Sequence, residues 1–159
     1  MRIEFQRTVP LPAPAAAAWD FIGDIERVLT CVPNLSGLVR TGTDRYSATA
    51  TDRVGPFRLS MEIALSVEID APARTIRAHL SGHDRKSQTR VSGTLTAGCR
   101  PADGQSTTGT VDAAGEVLGP VATLGAGPAR RRIDQIFEEF VRCLTAGIIA
   151  AAEAPTRGS

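Results

Sequence analysis

Aromatic residues are scarce in this sequence. One Trp, one Tyr and five Phe are spread over 159 residues, so any core or cavity must be lined mainly by aliphatics and alanine. Histidine is as rare, with two. A surplus of charge is missing too: 18 Lys+Arg face 17 Asp+Glu, for a formal +1. No global field therefore steers the chain onto nucleic acid or an anionic membrane. The three cysteines, Cys31, Cys99 and Cys143, lie far apart and form no CxxC or Cys/His zinc spacing. They read as three reduced thiols in a cytoplasmic protein. Met1-Arg2-Ile3-Glu4 lacks the apolar core of a signal peptide. The most apolar run, Leu144 to Ala152, falls well short of the ~20 residues that span a bilayer. No G-x-S-x-G, H-E-x-x-H or glycine-rich phosphate loop occurs, so the expectation is a non-enzyme without metal or cofactor.

What the chain does have is alternation. Its length suits one domain, expected over 1–152, with a disordered tail over 153–159. Ile3, Phe5 and Val9 alternate with Glu4, Gln6 and Thr8 as a first strand, which Pro10, Pro12 and Pro14 stop. Ala15 to Ile22 reads as a short helix, and Asp24 can cap a second over Ile25 to Leu29. Period-two segments follow at Leu35 to Arg40 and Tyr46 to Val54, joined by a loop at Thr41 to Asp44. From Phe57 to Ile69, seven apolar residues alternate strictly with Arg58, Ser60, Glu62, Ala64, Ser66 and Glu68. This is a long strand with one apolar face, too long to remain flat. Ile76 to Leu80, Val91 to Ala97 and Thr107 to Val117 continue the pattern, with Pro101 to Gln105 as a polar turn. After Leu118 the period becomes helical. Ile133, Ile136, Phe137, Phe140, Leu144 and Ile148 form one stripe of a helix of ~20 residues entered at Pro128.

Seven antiparallel strands with an inward apolar face need a cover, and the C-terminal helix is the one element long and apolar enough. Inward residues such as Ala48, Ala50, Gly93, Ala97, Gly109 and Ala113 are small and do not fill a wide gap. The expectation is an α+β fold whose curved sheet wraps the last helix around an apolar pocket. Candidate lining residues are Trp19, Leu35, Met61, Ile63, Leu65 and Leu80, joined by Val91, Leu124, Ile133, Phe137 and Phe140. Asp52 shares the parity of Tyr46, Ala48, Ala50 and Val54. It either points inward, to meet the polar head of a ligand or act as acid or base, or sits at the sheet rim beside an arginine. His79 and His83 fall on outward strand positions, away from metal-binding geometry. Arg130-Arg131-Arg132 faces solvent, membrane headgroups or a partner.

Several short motifs recur in one order. Val9-Pro10-Leu11-Pro12-Ala13-Pro14 precedes Ala18-Trp19-Asp20-Phe21-Ile22. Cys31-Val32-Pro33-Asn34, Val54-Gly55-Pro56, the stretch from Val117 to Gly125 and Phe137-Glu138-Glu139-Phe140 follow. Together they resemble the CoxG family of carbon monoxide dehydrogenase subunits, within the START-like (SRPBCC) superfamily, with Asn34 in place of a motif glycine. The resemblance implies a helix-grip fold with two short helices between the first and second strands. It implies a quinone- or lipid-like ligand, a molybdenum hydroxylase partner and, for the location, a site that is cytoplasmic or peripheral to a membrane. The superfamily also contains polyketide cyclases and lipid-transfer proteins, so a cyclase- or hydrolase-like enzyme and an accessory subunit with a vestigial cavity stay open.

Overall fold

The computed structural model describes residues 1–153. Strand β1 (Arg2–Leu11) leads into α1 (Ala15–Ile22) and α2 (Ile25–Leu29). Strands β2 (Leu35–Gly42), β3 (Arg45–Val54), β4 (Phe57–Asp70), β5 (Thr75–Asp84), β6 (Thr89–Asp103) and β7 (Ser106–Leu118) follow. A 3-10 turn over Pro120–Leu124 then opens into α3 (Ala126–Glu153). The strands form one sheet in the order β1-β7-β6-β5-β4-β3-β2, antiparallel at every pairing. β1 and β2 are thus opposite edges, and the chain crosses between them through α1 and α2, which close one end of the molecule.

The register stacks inward residues into rungs. One runs Ala48, Ile63, Gly82, Val91 and Val117 across five strands. The next runs Tyr46, Leu65, Leu80, Gly93 and Gly115 and ends at Ile3 on β1. Side chains two residues apart on a strand share a face, so the alternation in β4 commits its whole apolar set to one side.

Local chemistry explains most boundaries. Asp24 caps α2 by accepting from the Arg27 N–H at 3.4 Å. Asn34 adopts φ 65°, the left-handed region that a motif glycine would occupy and that asparagine tolerates better than most residues. Strand β6 does not stop at Pro101 but runs to Asp103, with a register shift between these two residues. Proline is tolerated where a bulge relieves the ladder. Helix α3 is longer than its sequence pattern suggested, at 28 residues or about 42 Å. Its Ala-Gly-Pro start costs little, because first-turn N–H groups have no helical partner, and its alanine-rich end favours helix. Glu153, expected in the tail, is the last helical residue; Ala154 to Ser159 lie outside the described residues.

The packed core lies at the end closed by α1 and α2. Leu11, Ala18, Phe21, Ile25, Tyr46, Val67 and Ile76 cluster there with Leu144 and Ile148 from the last turns of α3. A Cβ on Gly147 would come within 2.5 Å of the Phe21 ring, so glycine lets α3 approach α1 closely. The expectation of three reduced thiols is corrected here: Cys31, just after α2, is disulfide-bonded to Cys143 of α3. The pair carried no sequence signal because 112 residues separate its members, and the fold alone brings their Cα atoms to 5.4 Å. Cys99 is free and buried, and burial pushes its thiol pKa up.

At the other end, Asp84 ties three strands together while only 5% exposed. One carboxylate oxygen accepts from the Ser60 N–H of β4 at 2.9 Å, and the other from the Lys86 and Ser87 N–H groups of the β5–β6 turn at 2.9 and 3.4 Å. The Ser60 bond, followed by those from the turn, holds the carboxyl below its usual pKa against the opposing effect of burial.

Two outcomes follow from these contacts. Thiol labelling of the unfolded protein, purified without reductant, is expected to modify Cys99 alone, and Cys143→Ser to lower the free energy of unfolding by about 2–4 kcal/mol. A lowered carboxyl pKa stabilises the fold fully above the unfolded value of about 4 and is lost as pH falls through the folded value. Asp84→Asn is therefore expected to cost about 1–3 kcal/mol at neutral pH and to flatten the fall in urea midpoint between about pH 5 and pH 3.

Candidate functional site

Helix α3 lies over the sheet but does not rest on its middle. Its backbone comes close chiefly to β1, β3, α1 and the 3-10 turn, whereas β4, β5 and β6 stand off. Two ion pairs hold its first half, one on each flank. On the β1 side, Arg7 pairs with Asp134, its guanidinium 4.3 Å from the Phe5 ring centre. On the β3 side, Arg132 Nε donates to Asp52 Oδ1 at 2.6 Å. Asp134 and Arg132 lie about 100° to either side of Ile133 around the helix, so the apolar stripe points down between the two straps. The aromatic pair Phe5 and Phe137, with ring centres 5.0 Å apart, adds a third contact on the β1 flank.

This geometry leaves the inward face of the middle strands incompletely covered. Met61, Ile63, Leu65, Leu80 and Val91 are each half-buried, although their parity aims them under the helix. Ile133, Phe137 and Phe140 on the helix and Leu124 on the 3-10 turn are half-buried as well. Trp19, Leu65 and Phe140 pack against the core cluster, at the boundary between the sealed end and the gap. Leu35 lies on the edge strand, paired to Ala50. All twelve sequence candidates thus retain part of their surface, while the residues of the closed end are sealed. A smaller cleft of about 120 Å³ opens between β1 and the start of α3, lined by Ile3, Phe5, Arg130 and Ile133 among others.

Asp52 is neither a lone buried acid nor a free one. Its side chain is 16% exposed and that of Arg132 is 24% exposed, so the pair sits at the rim of the gap on the β3 side. Arg132 is a residue that sequence reasoning placed in a solvated basic run and did not connect to Asp52. Eighty positions separate the two, and the single hint was the inward parity of Asp52. His79 is exposed, and His83 reaches Glu62 at 3.6 Å, which keeps both histidines on the outer face. No cluster of metal-ligating side chains occurs among the described residues.

The turns at the open end meet one another. Gly55, at φ 57° in the β3–β4 turn, touches Leu124, and Gly119 touches the backbone of Gln88 in the β5–β6 turn. Exposed cations gather around these turns: Arg53, Arg58, Arg85, Lys86, Arg90, Arg130 and Arg131. Nearby carboxylates are engaged, Asp52 by Arg132, Asp84 by backbone N–H groups and Glu116 by the N-terminal amine. Leu118, 53% exposed, lies among the cations.

A curved seven-stranded antiparallel sheet gripping a C-terminal helix, with two short helices bridging its edges, is the START-like fold. Solved structures with this architecture cover nearly the whole chain. A conserved protein from Geobacillus kaustophilus superposes with a TM-score of 0.84 at 16% identity, covering 94% of this chain and 97% of that one. The Zhui aromatase/cyclase from Streptomyces sp. R1128 gives 0.67 at 11% identity over 97% and 98%. A START superfamily protein from Mycobacterium smegmatis gives 0.63 at 17% identity over 91% and 96%. No curated protein matches the sequence. Residues 8–149 match CoxG, a family of carbon monoxide dehydrogenase subunits, and the chain belongs to that family.

A methyl group on Gly55 would come within 2.8 Å of Leu124, in a backbone conformation that already disfavours a side chain. Gly55→Ala is therefore expected to destabilise the open end by about 1–2 kcal/mol, with faster hydrogen exchange there than in the α1–α2 core.

Proposed function

We propose that this protein binds a hydrophobic small molecule, quinone- or lipid-like, in the gap between the sheet and α3. We further propose that it serves as an accessory to a molybdenum hydroxylase of the carbon monoxide dehydrogenase type. The observation that carries the binding reading is the stand-off of α3 from the middle strands, with inward apolar side chains left half-buried beneath it. Natural cores seldom leave such a row of aliphatics unsealed without a use for it. A ligand burying ~350 Å² gains roughly 9 kcal/mol gross at ~25 cal/mol/Å². Association costs remove a large share and leave micromolar affinity within reach without a charge contact.

Family membership supports the accessory role. The basic open end, with Leu118 exposed among its cations, suits a surface from which a lipophilic molecule is taken up or to which it is delivered, such as an anionic membrane face. No helix among the described residues is long and apolar enough to cross a membrane, so contact of this kind is peripheral. The cyclase fold of one structural neighbour makes catalysis the second reading, but convergent polar groups in the gap amount to the Asp52–Arg132 pair. Holding a molecule suits that lining better than transforming one.

Leu80, which pairs with Gly93 and Leu65 in the middle of the sheet, gives the test. If the gap is open, Leu80→Trp fills it: binding of decylubiquinone and palmitate should fall at least tenfold while Tm stays within ~3 °C of wild type. A packed core would respond the other way, with a loss of about 1–3 kcal/mol from overpacking. That result, together with no binding of either probe to the wild type, overturns the proposal.

A further inference from the structure

We infer that the Arg132–Asp52 pair is the head-group reader of the gap, with Arg132 donating a hydrogen bond to a neutral carbonyl oxygen of an otherwise apolar ligand. The inference rests on the binding role proposed above and adds the chemistry that orients the ligand. The apolar gap has no direction of its own, since aliphatic walls bind either end of a chain molecule equally. A polar group at one point of the rim supplies direction, because a ligand's polar atom is desolvated on entry and must find a partner there.

Arg132 has the right place and the right unused chemistry. It follows Arg131 in the first turns of α3, immediately before Ile133 of the inward stripe. Asp52 lies on the strand face of Ala48 and Ala50, opposite Leu59, so both partners flank apolar lining. The guanidinium spends Nε on Asp52 at 2.6 Å and Nη1 on Gln135 Oε1 at 3.1 Å. Nη2 donates to no group among the described residues. Arg132 is thus held by two partners with a pair of N–H donors left over, in a rigid planar fork that needs little further ordering to bind an acceptor.

The charge of the pair selects the class of head. Asp52 already neutralises the guanidinium, so a carboxylate or phosphate arriving at Nη2 meets the Asp52 charge a few ångströms away and gains little. A neutral ketone, quinone or ester carbonyl meets no such repulsion. The ligand class is therefore a lipophile with a neutral carbonyl head at the β3 rim and its hydrocarbon part directed towards Trp19 and Phe140.

The test compares three probes of equal tail length, decylubiquinone, decylbenzene and decanoate, by displacement of a bound fluorescent apolar dye. Wild-type protein should bind decylubiquinone about tenfold more tightly than decylbenzene, the worth of one hydrogen bond from a charged donor, with decanoate the weaker of the two polar probes. In Arg132→Met the tenfold preference should shrink to less than threefold while decylbenzene affinity stays within twofold of wild type. A purely structural role for Arg132 would lower all three affinities together. If the single variant fails to fold because Asp52 is left unpaired, Asp52→Ala combined with Arg132→Met removes both charges, and the same ratio is read. An unchanged preference in a folded variant overturns this inference and leaves the binding role standing. Failure of the wild type to bind decylbenzene and decylubiquinone alike overturns the binding role and the inference with it.

Discussion

A seven-stranded curved sheet presents more inward surface than one helix can cover, and the rest of this structure depends on how that mismatch is resolved. Helix α3 is fixed at its flanks and at its C-terminal end. Arg7–Asp134 and Asp52–Arg132 hold it to opposite sides of the sheet, the Cys31–Cys143 bond holds it to the segment after α2, and Leu144 and Ile148 pack into the core. Little pulls it onto β4, β5 and β6. The ion pairs are partly exposed, and such pairs contribute modestly to stability. Their larger effect is geometric, since they keep a rod suspended over an apolar trough.

The two ends of the molecule divide the work. The end closed by α1 and α2 carries the sealed core and the disulfide, and there glycine at position 147 lets two helices approach closely. At the other end, turns replace helices, half-buried aliphatics replace sealed ones, and arginines gather on the surface. Asp84 and its three backbone bonds stabilise this end without filling it. Stability and access are therefore separated along the long axis of α3, an arrangement in which ligand entry need not loosen the folding core.

Much of the fold was legible in the chain. The strict alternation from Phe57 to Ile69 set β4 and its buried face, and Asp24 announced the start of α2 before any tertiary contact was known. Strand ends were less legible: β5 extends to Asp84 and β6 through Pro101, because pairing partners rather than local propensity carry those residues. Of the site, the apolar candidates could be read from parity, since a period of two assigns each residue a face. Arg132 could not. A helix arginine beside two others reads as solvated until the strand across the gap is seen to hold Asp52 opposite it.

By itself, the sequence determined the elements, their order, the apolar face of the sheet and the stripe on the last helix, because these follow from periodicity and from residues within a few positions of one another. The tertiary structure decided everything that depends on residues distant in sequence. Cys31 meets Cys143 across 112 positions, and Asp52 meets Arg132 across 80. A chain of formal charge +1 gathers exposed cations at one end, although composition had suggested no field at all. Net charge and local pattern are sums over the chain or over short windows of it, whereas a gap, a strap and a charged end are relations between places that only folding brings together.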